Sequence, residues 1–136
     1  MQVYPANEEN VKNQKPEKSL NNSAPEEIEW IAIDDFQKME LKIGRIKSCR
    51  KVEKSNKLLC SEVDLGETRL RSIVSGAAEF YTPEEMTGRQ VLVVTNLKPV
   101  KLMGYISEGM ILFSDDNGKL VLVEAPEHVN PGVIVR

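Results

Sequence analysis

Two runs of β-branched and aliphatic residues, VLVVT (Val91–Thr95) and MILF (Met110–Phe113), bracket a stretch with no apolar period, NLKPVKLMGYISEG. Runs this short, bounded by turn-forming residues, are long enough for buried strands and too short for core helices. The chain must therefore be assembled from short strands. Asn96, Lys98, Lys101 and Ser107 then sit between two of them as a rigid polar display. A connection that only reverses the chain needs a Gly or an Asn, whereas this one also carries two lysines, a serine and, with its flank, two methionines. Function is expected there.

Similar alternation extends along the chain. From Met39 the pattern is strand-like, with Leu41 and Ile43 in one phase and Ile46 in the other. Gly44 stands at the slip, which predicts a β-bulge at that glycine. A second strand is expected near Leu58–Leu65, with Leu59, Val63 and Leu65 inward, and a third in RLRSIVS. SGAAEFYTPEEMTG reads as a short helical connection, with Pro83 near its start and Gly88 past its end. Strand four is Gln90–Thr95 and strand five Met110–Ser114; DDNG then turns into LVLVEA, and Pro131-Gly132 leads into a last strand, VIV. Three strands, a helix and two strands predict an all-β chain, a five-stranded Greek-key barrel of the oligonucleotide-binding (OB) type with a short helix and C-terminal strand additions.

Length and charge set the organisation. The 136 residues, 40% of them hydrophobic, suffice for one domain and a tail. Residues 1–27 are poor in aliphatics and rich in Asn, Lys, Glu and Pro, so they read as a disordered acidic tail or linker. Residues 28–136 read as the folded domain, with a short helix start capped by Asp34 or Asp35 and with Trp30 docking this first segment. No apolar run approaches the roughly 20 residues of a membrane span, and the N-terminus lacks the apolar centre of a signal peptide. A soluble, cytoplasmic protein is expected.

The net charge of −3 hides an asymmetry, since residues 1–35 hold three lysines and eight acids while the rest is mildly basic. Lys42, Arg45, Lys47, Arg50, Lys51, Lys54 and Lys57 face only Glu53 in their stretch. Such a stripe is either a solvated strand face or the footprint of a polyanion binder. It contains no aromatic residue on which single-stranded bases could stack, which favours phosphate and shape recognition of a folded RNA. Tyr105 is the one aromatic beside the display.

Catalysis, a metal and a cofactor find little support in the chain, a small hydrolase or redox enzyme using Cys60 or His128 being the weaker alternative. The two cysteines, Cys49 and Cys60, lack metal-ligand spacing and read as reduced thiols. The one histidine, His128, reads as an exposed turn residue, and Phe113 stands where a phosphate-binding loop ending at Gly118-Lys119 would need its first glycine.

SNKLLCSEVDLG, RSIVSG and YTPEEMTGRQVLVVTNLKPVKLMGYISEGMIL, in this order and spacing, resemble the tRNA-binding domain family. That family includes the C-terminal domain of many bacterial methionyl-tRNA synthetases, free-standing tRNA-binding proteins and the endothelial monocyte-activating polypeptide-like domain. The likeness runs from about Ile33 to the C-terminus and departs at Ala77 and Ile106. It implies a non-catalytic module that dimerises through its C-terminal additions and binds tRNA, as a trans factor or as an appendix of the synthetase's catalytic part. Lys57, Arg71, Ser75, Asn96, Lys98, Lys101, Met103, Ser107 and Met110 fall on the matching motifs. The resemblance assigns the lysines and Arg71 to phosphates, and Asn96, Ser75 and Ser107 to sugar-phosphate contacts or to bracing of the loops. As methionines, Met103 and Met110 fit core positions better than contacts. A chaperone-like or protein-interaction module on the same barrel is the other function the resemblance allows.

Overall fold

The computed structural model describes residues 27–136, so the tail expected over residues 1–27 lies, apart from Glu27, outside the described residues. The chain divides between Phe36 and Gln37. Before that division Trp30, expected to dock the segment, is 60% exposed. A short helix, α1 (Ile33–Gln37), carries Asp34 and Asp35 inside its first turn rather than at a cap. Carboxylates there suit the positive end of the helix, which is why the same residues look like a cap in the bare sequence.

From Gln37 onward the chain is mostly strands. β1 (Leu41–Lys51), β2 (Leu59–Asp64), β3 (Arg71–Ser75), β4 (Gln90–Val94) and β7 (Met110–Ile111) form an antiparallel sheet in the order β3-β2-β1-β4-β7. The sheet curls into a nearly closed barrel, an all-β OB-like architecture. Its seam is bridged by hydrogen bonds rather than by a ladder: Glu108 N donates to Ser72 O (2.7 Å), and Val74 N donates to Ser107 Oγ (2.9 Å). The short helix α2 (Pro83–Met86) starts at a capping box between Thr82 and Glu85 and buries Met86 completely.

Alternation explains which side chains fill the barrel. Leu59, Ser61 and Val63 point inward with Leu65 beyond them, and Ile46, Ile73, Val91 and Val93 meet them there. Each such aliphatic side chain contributes roughly 1.5–3 kcal/mol by leaving water. Gly44 belongs to the same inward phase, because a Cβ on it would sit 2.6 Å from Val63 Cγ1 and 2.9 Å from Leu65 Cδ2. The predicted bulge is real but lies elsewhere, between Ile46 and Ser48. The apolar slip at Gly44 arises because β1 is buried on both faces there: Leu41, Ile43, Gly44 and Ile46 are all buried.

Beyond the barrel, β5 (Val100–Leu102) pairs with β6 (Tyr105–Ser107), and β8 (Phe113–Asp116) with β9 (Lys119–Leu122). The predicted fifth strand is thus split at Leu112 into β7 and β8. β10 (Ile134–Val135) pairs with Leu41 and Lys42, covering the edge of β1 that β2 leaves open before Arg45.

A second, smaller cluster sits on the outer face of β2 and β3. Cys60 and Val74 pair across these strands and pack with Val52, Leu58 and Tyr105. Cys49 instead faces inward opposite Ser61, so the two thiols lie on opposite faces of the sheet; both are free. Burial pushes the Cys49 thiol up in pKa.

Candidate nucleic-acid interface

The polar display is a β-hairpin. β5 and β6 pair as Val100↔Ser107, Lys101↔Ile106 and Leu102↔Tyr105, and they reverse at Met103-Gly104, where both residues have positive φ (50° and 88°). This is the backbone of a two-residue hairpin turn with a methionine where Asn or Gly is usual. Period 2 puts Lys101 and Ile106 on one face of the hairpin and Leu102 and Tyr105 on the other. Lys98, Lys101 and Ile106 are exposed, Ile106 at 52%.

The feet of the hairpin are held by Arg71, which the resemblance had assigned to phosphate, and by Asn96 and Ser107, for which it had left RNA contact and loop bracing open. Asn96 accepts from Glu40 N (2.8 Å) and donates to Lys38 O (2.7 Å), tying the exit of β4 to the chain ahead of β1. Arg71 Nη1 donates to Thr95 O (2.7 Å) and Glu108 O (3.1 Å), one carbonyl on each foot. Its Nε and Nη2 engage the Glu67 carboxylate at 3.0 and 2.8 Å. Ser107 accepts from Val74 N and donates to Gly109 O (3.2 Å), fastening β6 to β3. Glu108 receives Arg69 and the Ser72 amide, and Arg69 first, with that amide, holds its carboxyl below the usual carboxylate range. Arg71, Asn96 and Ser107 are thus engaged in bracing, whereas Ser75 is buried with a hydroxyl that has no partner among the described residues.

Lys57 is set by the β1–β2 turn. Ser55 Oγ accepts from both Lys57 N and Leu58 N (3.1 Å each), and Lys57 O accepts from Ala78 N (3.0 Å), while its side chain stays exposed. The basic stripe does not act as one body. Lys42 and Arg45 are half-buried, and Arg45 donates to Gly88 O (2.8 Å) and pairs with Glu127 (3.5 Å). Lys47, Arg50, Lys51, Lys54 and Lys57 remain exposed.

The outer cluster brings stripe and hairpin together. Tyr105 descends from β6 onto Val52, Cys60 and Val74; Leu58, next to Lys57, packs on the same residues; and Arg50 lies over the Tyr105 ring, 5.4 Å from its centroid. The Tyr105 side chain, first among several causes, raises the Arg50 pKa. Arg50 was not singled out from the sequence, although it stood in the stripe and Tyr105 beside the display; only the packing of the hairpin on the outer cluster pairs them. The sequence expectation that Met103 and Met110 belong to the core is corrected: they are 54% and 45% exposed. Met103 occupies the turn tip, and Met110 alternates with buried Ile111 in β7. His128 is exposed, and among the described residues no group of His, Cys, Asp and Glu side chains could hold a metal ion. No helix among them is long and apolar enough to cross a membrane.

The family described as "Putative tRNA binding domain" matches residues 41–133, from the start of β1 to the threshold of β10. A methionine–tRNA ligase from Listeria monocytogenes is 50% identical over 110 residues, covering 81% of this chain and 17% of the ligase. The chain therefore spans about a sixth of the length of such relatives. A solved MetRS-related protein from Pyrococcus horikoshii is 36% identical, with a TM-score of 0.77 over 80% of this chain and 100% of that one. The chaperone CsaA from Bacillus anthracis superposes with a TM-score of 0.71 at 23% identity over 79% of this chain and 100% of its own, a likeness of fold alone. On the family match over most of the barrel and the identity to the Pyrococcus protein along its full length, the chain belongs to the tRNA-binding domain family.

Proposed function

We propose that the chain is a non-catalytic module that grips folded tRNA through phosphates and shape. It works in trans to, or as the C-terminal appendix of, a cytoplasmic methionyl-tRNA synthetase, and as a homodimer. The observation that carries this reading is the convergence of exposed Lys57, Arg50 and the lysine-bearing β5–β6 hairpin around one outer cluster. Lys57, Lys98 and Lys101 meet phosphates; Asn96, Arg71 and Ser107 hold the hairpin that presents two of them. Residues 1–27 serve as a linker outside the RNA contact, so a protein starting at Ile28 keeps full affinity, and a tenfold loss would place contacts in the tail.

A filter-binding titration with tRNA at several salt concentrations tests the reading. Replacing Lys98 and Lys101 by Ala lowers affinity and reduces the salt slope by about 0.7–0.9 for each phosphate that is no longer neutralised. Lys119→Ala has no effect, because Asp115 and Asp116 precede it in the β8–β9 hairpin and repel phosphate. Full affinity and slope in the double variant, with both reduced in Lys119→Ala, would move the binding face to another part of the barrel. Peptide binding that survives high salt, without salt-dependent tRNA binding, would replace this function with the chaperone-like one.

A further inference from the structure

Arg50 differs from the arginines around it. Arg45, Arg69, Arg71 and Arg89 each lie 2.7–3.5 Å from a glutamate oxygen, which neutralises them. Arg50 is exposed and has a ring beneath it instead, at 5.4 Å. Glu62, on the neighbouring strand, accepts from Ser48 Oγ. Tyr105 cannot readily turn away, since it packs on Val52, Cys60 and Val74, and the seam bond at Ser107 fixes its strand. The arrangement is a guanidinium over a fixed aromatic ring, its far side exposed to solvent.

We infer that the solvent-facing side of Arg50 is a stacking platform for a single unstacked nucleobase of the bound RNA, with Tyr105 as its backing. The inference rests on the RNA-binding reading and deepens it, because it adds a contact to a base where lysines offer contacts only to phosphates. A guanidinium can sandwich between two π-faces, whereas an ammonium is a point charge that cannot stack. Exposed Lys57, whose neighbour Leu58 packs on the same cluster, offers a cation for a phosphate next to such a base. The platform accepts any base, since every base has a π-face, so it adds affinity without reading sequence.

The experiment compares the full chain with Arg50→Lys and Arg50→Ala in tRNA titrations at two salt concentrations. In parallel, a short single-stranded oligonucleotide is compared with an abasic one of equal length. Arg50→Lys, which keeps the charge, binds tRNA about tenfold more weakly at an unchanged salt slope, the loss expected of one stacked base. Arg50→Ala loses slope as well. The wild type prefers the oligonucleotide with bases, and Arg50→Lys loses that preference. If Arg50→Lys binds as the wild type does while wild-type binding is steeply salt-dependent, Arg50 is an ordinary charge and the platform is overturned alone. If wild-type tRNA binding shows no salt dependence, the RNA reading itself falls.

Discussion

Arg71 illustrates how a residue can fall on an RNA-binding motif while its donors are directed into the protein. Four of its hydrogen bonds go to Glu67, Thr95 O and Glu108 O, and the last two clamp the two feet of the hairpin together. Arg71→Ala should therefore destabilise the domain by about 2–3 kcal/mol, the range for hydrogen bonds to a charged group with carbonyls left unsatisfied. Where the variant is still folded, tRNA affinity falls with the salt slope unchanged. Urea denaturation with tRNA titration checks both; a lower slope at wild-type stability would make Arg71 a phosphate contact. Glu108 gives a prediction in pH. Its folded carboxyl is held below the ordinary value by Arg69 and the Ser72 amide. The stability it contributes is therefore present above the unfolded carboxylate pKa of about 4.3 and is lost as pH falls through the lower folded value. Glu108→Gln should be less stable than the wild type at neutral pH, with the gap closing on acidification. A constant gap from pH 7 to pH 3 would remove the carboxylate from the account.

At the scale of elements, the positions of strands and helix along the chain were legible wherever alternation met a turn signal. β2 was framed by Leu59, Val63 and Leu65, and α2 by Pro83 and Gly88. The β5–β6 hairpin was not legible as a hairpin. Its strands are three residues each, the first carries Lys101 and follows a proline, and their turn is Met-Gly rather than Asn-Gly. The bulge was displaced for a related reason: burial of both faces of β1 near Gly44 imitates a change of phase. Met103 carries a cost that bears on function, because a side chain in the left-handed region is strained by about 1–2 kcal/mol. Asn-Gly would relieve it. Met103→Asn should raise the melting temperature and weaken tRNA binding, since an exposed, strained methionine at the tip of the display is placed for contact rather than for packing. Thermal unfolding beside a tRNA titration tests this, and a more stable variant with undiminished affinity would make the strain incidental.

For the whole molecule, association turns on the C-terminal additions. As surplus apolar strands they would leave an edge for a partner, yet β10 covers the edge of β1 and Leu122 of β9 enters the core within one protomer. Removing residues 119–136 would therefore damage the barrel itself and could not report on association. The support for a homodimer lies instead in the apolar surface these additions still expose: Val121 at 37%, Val123 at 36%, Val133 at 39% and Ile134 at 53%. Ile134 is the informative position, because it pairs with Lys42 through the backbone while its side chain is open to solvent. Sedimentation equilibrium at micromolar concentration should give twice the 15.3 kDa of one chain, and Ile134→Glu should give the monomer with the barrel's strand content intact. A dimer presents two Arg50–hairpin patches, and the second meets RNA at the effective concentration set by the first. The monomeric variant should thus bind tRNA about a hundredfold more weakly with an unaltered fold. A wild type that sediments as a 15.3 kDa species would end the dimer proposal, and a monomeric Ile134→Glu with wild-type affinity would show that one patch suffices.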